Sequence, residues 1–252
     1  MKVFLTIALL LLVVPSWTVA QERARHEKPL TRNEIKETER LLFELGYWTG
    51  PVDGVFDPGS RSALIAFQKW TGRPITAKLT RDEIAAIRAS ESPKARETGY
   101  GHVEVDIDRQ VLLIVNEAGD VRALPVSTGS GKPFLVDGNP SIAYTPRGRF
   151  VVYDKTYGWE DGVLGSVYYA NYITGGVAIH GYETVPTTPA SHGCIRIPMF
   201  AAREVSKQLT RGTIVLVYDK VSFVSAKEWV TNPKLKEAAM LNGAAQDYTR
   251  AP

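Results

Sequence analysis

The chain changes its hydrophobic rhythm several times, and each change marks a boundary. Val3 to Val14 is apolar apart from Thr6, follows Met1-Lys2, and runs into Pro15-Ser16-Trp17 and the small-x-small triplet Thr18-Val19-Ala20. That order of charged, apolar and cleavage regions predicts a secretory signal peptide over residues 1–20. An uncleaved anchor is the alternative, but a spanning helix needs roughly 20 apolar residues, and this run is shorter. No later segment is apolar enough to cross a bilayer, so no membrane span is expected after cleavage.

Residues 32–89 then follow a helical period. Thr31 with Glu34 makes a capping box, and Ile35, Leu41, Leu42 and Leu45 mark one apolar face. Gly46 stands where a left-handed residue ends a helix. Asp57-Pro58 opens a second helix with Pro at its first position; Ala63, Leu64, Phe67 and Trp70 line its inner side, and Gly72 closes it. Thr80 with Glu83 caps a third, ahead of Ile84 and Ile87. The loop Gly46–Asp57 carries Tyr47, Trp48 and Phe56, which either pack against the bundle or face a ligand. Residues 90–99 are polar, contain one proline and read as a linker.

From Tyr100 the period shortens. His102 to Ile107 alternates polar and apolar, as a half-buried strand does. Further strands are predicted at Val111–Val115, Val121–Val126, Arg149–Tyr153, Val167–Tyr169, Gly176–His180 and Thr213–Tyr218. One helix is predicted from Pro198, turning Phe200, Ala201, Val205 and Leu209 inward. The fold class is therefore α+β and multidomain: a small three-helix bundle followed by a mainly β domain over residues 100–219. Residues 220–252 form a tail without a readable pattern.

Composition narrows the partners only a little. The 252 residues carry a net charge of +3 and are 44% hydrophobic, an ordinary globular balance. No basic stripe with interleaved aromatics is present, so nucleic acid is not an expected partner. The cysteine count says more. Export favours paired cysteines, and this chain has one, Cys194, which suggests a reactive thiol or an intermolecular bridge. An inert buried cysteine is the alternative.

Its neighbours favour reactivity. Cys194 sits in Ser191-His192-Gly193-Cys194-Ile195-Arg196, and a second histidine opens His180-Gly181 at the end of a predicted strand. A thiol becomes a nucleophile when a nearby base takes its proton. His192, two residues away on a tight segment, suits that role less well than His180, which can approach from a neighbouring strand. Gly193 leaves its own amide and that of Cys194 open as oxyanion donors. Two other readings stand beside this one. His180, His192 and Cys194 are possible zinc ligands, though no fourth ligand has a convincing spacing. Ser191 is a possible nucleophile, but no Gly-x-Ser-x-Gly elbow surrounds it.

Two resemblances organise these observations. Leu41-Leu42, Leu45-Gly46-Tyr47, Gly50, Asp53-Gly54, Phe56-Asp57, Ala63 and Phe67-Gln68 together resemble the small helical peptidoglycan-binding module, which implies attachment to cell-wall glycan or peptide. The block from Ile179-His180-Gly181 to Ser191–Arg196 resembles the signature of the L,D-transpeptidases. Val126-Ser127-Thr128-Gly129 and Tyr144–Phe150 are similar to that family's upstream landmarks.

The second resemblance implies a ping-pong reaction of peptidoglycan biosynthesis, cell-wall organisation and cell shape. Cys194 attacks the stem tetrapeptide and expels D-alanine, and an amine resolves the thioester into a 3→3 cross-link. His180 shuttles the proton, the Gly181 carbonyl orients His180, and His192 and Ser191 shape the oxyanion loop. Arg196 holds that loop or a substrate carboxylate. The Tyr182–Pro189 loop is expected to border the substrate groove. Neither a cofactor nor a metal is called for. Expected partners are stem peptides and glycan, and the expected location is the periplasm or cell wall. An L,D-carboxypeptidase, with water as acceptor, uses the same residues, and a wall-binding protein with an inactive catalytic domain is the non-enzymatic alternative.

Overall fold

The computed structural model describes residues 28–222 and 224–245; the expected signal peptide lies outside them. Three helices open the described chain, α1 (Arg32–Glu44), α2 (Pro58–Thr71) and α3 (Arg81–Arg88). Their ends follow the sequence. Gly46 takes φ +94°, and the Tyr47 N–H returns to the Leu42 carbonyl at 2.9 Å. Asp57 accepts from the Ser60 amide, Gly72 adopts φ +70°, and Thr80 accepts from the Glu83 amide. Buried Glu39 fixes the intervening loop by accepting from the amides of Asp53 and Gly54 and from Ser60 Oγ, at 3.0, 2.8 and 2.6 Å. A carboxylate out of water needs that many donors.

The β region forms two sheets and a hairpin. The first sheet has the order β3 (Val121–Pro125), β2 (Val111–Val115), β1 (His102–Asp106), β12 (Ile214–Tyr218), β6 (Gly148–Val151). The second runs β11 (Ile195–Pro198), β10 (Val177–Tyr182), β9 (Gly165–Thr174), β7 (Asp154–Lys155), with β8 (Trp159–Gly162) also pairing with β9. β4 (Pro133–Val136) and β5 (Asn139–Ile142) form the separate hairpin. Between the sheets lies a core that includes Val103, Leu112, Ile179, Ile195 and Val215, closed by Ala201, Val205 and Leu209 around α4 (Met199–Gln208).

One expectation for α4 is corrected. Phe200 is 43% exposed, and the inward position next to Ala201 belongs to Ala202. A Cβ on Gly181 would stand 2.6 Å from the Ala202 Cβ. The helix approaches β10 too closely there for a large side chain.

The outer face of the first sheet is covered as well. Val111, Leu113, Val115, Val121 and Ala123 share a core with Leu42, Tyr47, Leu64 and Phe67 of the helical region. This explains why Val111–Val115 is an unbroken apolar run rather than an alternation, since both faces are buried. Tyr47 is fully buried in this seam, edge-on to Phe67 at 5.8 Å. The other half of that face meets residues 90–99 and the tail. Residues 90–99 contain no helix or strand but are held in place. The amides of Arg96 and Glu97 both donate to buried Glu104, at 2.9 Å each. The tail supplies α5 (Lys227–Thr231) and α6 (Pro233–Ala245), and Trp229 packs with Leu216 and Tyr218.

Candidate active site

Cys194 stands immediately before β11, which pairs in parallel with β10 so that Ile179 faces Ile195 and His180 faces Arg196. The strand before the histidine and the strand after the cysteine are therefore neighbours. Cys194 and His180 line one cavity of about 970 Å³. The thiol is half-buried and points its hydrogen toward the Gly176 carbonyl at 3.8 Å. Burial pushes the thiol pKa up, while a backbone hydrogen bond from Ala178 and the charge of Arg196 pull it down.

His180 is buried, with Nδ1 2.9 Å from the Gly181 carbonyl. A carbonyl can only accept, so Nδ1 carries the proton and Nε2 is left as the basic atom. Burial, reinforced by Arg196, draws the His180 pKa down to about 4 against the pull of the Gly181 carbonyl. The Cys194 thiol and the His180 imidazole, which line the same cavity, are thus both neutral at pH 7.

The position of His180 is built into β9. Asn171 faces Ile179 and Tyr168 faces Gly181, so Tyr169 and Ala170 together oppose the single residue His180. This is a bulge of the kind that re-aims a side chain beside an active site. Tyr169 takes φ +49°, costly for an aromatic residue. Fully buried Asn171 secures the bulge. Its amide donates to the carbonyls of Tyr169 and Ile179 at 3.0 and 3.1 Å, and its oxygen accepts from Ser206 at 3.1 Å. Neither Asn171 nor the bulge was visible in the sequence, where Tyr-Tyr-Ala-Asn-Tyr shows only strand propensity.

The cysteine loop is equally fixed. Ser191 Oγ donates to the Cys194 carbonyl at 2.6 Å and accepts from the Gly193 amide at 3.1 Å. Both functions of that hydroxyl are spent on shaping the loop. The Gly193 amide, expected as an oxyanion donor, is thereby engaged. The Cys194 amide has no acceptor among the described residues. Gly193 takes φ +150°, and a Cβ there would meet the Tyr144 carbonyl at 3.0 Å.

Thr145, from the Tyr144–Phe150 landmark, was not singled out in the sequence and ties three motifs together. Its hydroxyl donates to the Gly193 carbonyl at 2.6 Å and accepts from the Gly129 amide at 2.8 Å. Ser127 exchanges two backbone hydrogen bonds with Arg196, at 3.0 and 3.1 Å.

The remaining expected residues are placed as follows. His192 is exposed, and its ring lies 4.6 Å from that of Phe134 on the β4–β5 hairpin. Arg196 lies over the Tyr182 ring at 4.0 Å and donates to the Ala190 carbonyl at 3.2 Å. Its Nε is buried without a partner, and the residue lines the cavity. The Tyr182–Pro189 loop contributes only Tyr182 to the lining. Thr188 instead faces back, its carbonyl accepting from Ser127 Oγ at 2.8 Å. The walls are the β4–β5 and β8–β9 hairpins, through residues such as Phe134, Ile142, Glu160, Val163 and Leu164. Among the described residues no three His, Cys, Asp or Glu side chains cluster as metal ligands do.

A thiol just before β11 and an oriented imidazole on the neighbouring strand β10 line one cavity of the β region. Comparison makes the assignment specific. Residues 100–217 match the YkuD family, the L,D-transpeptidase catalytic domain, and residues 31–87 match the peptidoglycan binding domain family PG_binding_1. The chain is 33% identical to a solved L,D-transpeptidase fragment from Xylanimonas cellulosilytica, with a TM-score of 0.71 over 76% of this chain and 100% of that one. An L,D-transpeptidase structure from Stackebrandtia nassauensis is 21% identical over 77% of this chain and 94% of that one, with a TM-score of 0.45. Among curated proteins, OpcA of Nostoc punctiforme, named for the OxPP cycle, is 35% identical over 68 residues, 27% of this chain. The chain spans only 14% of that protein's length. The chain belongs to the L,D-transpeptidase family and carries a peptidoglycan-binding domain ahead of the catalytic one.

Proposed function

We propose that this chain is an exported L,D-transpeptidase that forms a thioester between Cys194 and a peptidoglycan tetrapeptide stem and passes the acyl group to an amine. The observation that carries this reading is the orientation of His180. Its Nδ1 is tied to the Gly181 carbonyl, which leaves Nε2 basic beside the cavity that Cys194 also lines. Because both groups are neutral, proton transfer accompanies attack instead of preceding it. His180 Nε2 takes the thiol proton as Sγ bonds to the carbonyl carbon at the third stem residue. The Cys194 amide donates to the resulting oxyanion; one such donor is typically worth about 3 kcal/mol of transition-state stabilisation. Collapse breaks the C–N bond to D-alanine, whose nitrogen takes the proton back from His180. An acceptor amine then loses its proton to His180, attacks the thioester and releases the thiol. Arg196, which lines the cavity, is suited to a substrate carboxylate through its guanidinium.

No helix among the described residues is long and apolar enough to cross a membrane. Together with the signal-like residues 1–20 and the wall-binding module, this supports action at the cell wall or in the periplasm. The domain limits 32–89 and 100–219 are kept, with residues 90–99 between them. Incubation with tetrapeptide muropeptides is expected to release D-alanine and add the acyl mass to Cys194. D-alanine release at the parental rate by Cys194→Ala would sink the reading, and product analysis separates cross-linked dimer from a hydrolysed tripeptide.

A further inference from the structure

Lys69 is out of place for a residue of a wall-binding bundle. It lies on α2, is 5% exposed, and reaches across the seam into the β region. Its Nζ donates to the Val126 carbonyl at 2.8 Å and the Gln110 carbonyl at 3.3 Å. A lysine is almost never buried unless it is partnered, and here both partners are backbone acceptors from the other domain.

Those partners lead onward. Gln110 is buried and takes φ +55°, a conformation that costs a non-glycine residue energy unless its surroundings impose it. Its side chain exchanges two hydrogen bonds with Thr128, donating from Nε2 to Oγ1 at 2.7 Å and accepting from the amide at 2.9 Å. The Thr128 carbonyl accepts from the amides of both Ala190 and Ser191 at 2.9 Å. Ser191 in turn holds Gly193 and Cys194. The path from helix to nucleophile is continuous, and its side chains are all buried.

We propose that the helical module is part of the catalytic apparatus, with Lys69 a positioning residue that acts through Gln110 and Thr128 to hold the loop carrying Cys194. Only the premise that Cys194 is the nucleophile is taken from the function proposed above. Burial draws the Lys69 ammonium down to about 8, so it stays protonated and donates at neutral pH. A methionine there keeps the apolar stem but leaves the buried Val126 carbonyl without its donor, while the Gln110 carbonyl keeps only the Val126 amide at 2.9 Å.

The test uses the full chain and a readout independent of the peptidoglycan reaction, the rate of Cys194 alkylation by iodoacetamide followed by intact mass across pH. Lys69→Met and Thr128→Val are each expected to slow alkylation at pH 7 by about three- to thirtyfold, the span of couplings carried by such networks. Their pH profiles should move toward that of an unassisted thiol, a change that loss of stability alone does not produce. The double variant should be no slower than the slower single one, because both cut the same path. Near-UV circular dichroism checks folding, and if Lys69→Met does not fold, Thr128→Val decides alone. A folded variant with the parental rate and profile overturns the proposal. If the parent alkylates as expected but releases no D-alanine, the transpeptidase reading fails while this one stands.

Discussion

Two regions surround the same cavity and are built in opposite ways. The floor, Ser191 to Arg196 with His180, is hydrogen-bonded at nearly every step to Ser127–Ser130, Thr145 and Gly181. The walls are two hairpins whose side chains stand in water, with Leu135 66%, Val163 57% and Trp159 57% exposed. Acyl transfer needs a thiol, a base and an amide held to a fraction of an ångström, and the floor supplies that. In the proposed function a polymeric substrate would need a surface to meet it, and the hairpins that line the cavity are the surface open to it. Substitutions in the floor should therefore act on kcat, and those in the walls on KM.

The largest effects belong to the reacting groups. Cys194→Ala is expected to remove the acyl-enzyme altogether. His180→Gln should lower kcat by about 10²- to 10⁴-fold, the usual contribution of a positioned base, and single-turnover D-alanine release measures it. Next come residues that place the base. In Gly181→Ala the new Cβ would lie 2.6 Å from the Ala202 Cβ and 3.1 Å from Tyr168 Cδ1. Over-packing of this kind costs about 1–3 kcal/mol. A lower Tm should accompany a fall in kcat, with KM for the donor stem little changed. A parental kcat would mean that β10 and α4 can separate without moving His180.

The same contrast explains what the sequence revealed. The positions of Cys194 and His180 were legible because a lone cysteine and His-Gly pairs are scarce in this chain, and the fold brings both to one cavity. The helices were legible because Gly46, Asp57 and Gly72 punctuate them. Thr145, Gln110 and Asn171 were missed because their value lies in long-range hydrogen bonds, and an isolated polar residue in an apolar segment does not reveal its partner. In the β8–β9 pair β9 was foreseen through Val167–Tyr169, whereas strands β4, β5 and β8 were missed for another reason. They bury neither face, so no alternation marks them, and segments such as Asp137-Gly138-Asn139 read as turns. The Tyr182–Pro189 loop borders the cavity only through Tyr182, and its far end turns away, with the Thr188 carbonyl held by Ser127. The tail was opaque because α6 has no clear apolar stripe; its contacts include Gly243 against Tyr153.

The electrostatics of the floor give a prediction in pH. His180 ionises near 4 in the folded chain against an ordinary value of 6.5. The base is therefore neutral over most of the acid range, and the acid limb of kcat/KM, which reports the free enzyme, should fall near pH 4 instead of 6.5. Stability should move in the same direction. Between 6.5 and 4 the unfolded chain takes up a proton at this site that the folded chain refuses, so stability falls as pH falls through that window. The loss is on the order of 3 kcal/mol at most, and His180→Gln should remove it from the pH dependence of denaturant midpoints. A limb at 6.5 would mean that water reaches the imidazole, and that the floor is less closed than its hydrogen bonds imply.

The smallest effects are expected at the tips of the walls. Val163 and Leu164 occupy the turn between β8 and β9, line the cavity and are 57% and 46% exposed. Leu135, at 66%, sits on the opposite hairpin but outside the lining. Exposed substitutions of this kind usually change stability by no more than about 0.5 kcal/mol, so neither Val163→Ser nor Leu135→Ser should shift the denaturant midpoint measurably. KM for the donor stem should separate them. Losing one or two methylene contacts with a bound stem is worth about 0.8 kcal/mol each, which is roughly four- to fifteenfold for Val163→Ser or Leu164→Ser and no change for Leu135→Ser. Equal responses at lining and non-lining tips would show that the hairpins do not touch the substrate. Specificity would then have to come from the floor, through Arg196 and the ring of His192 on Phe134.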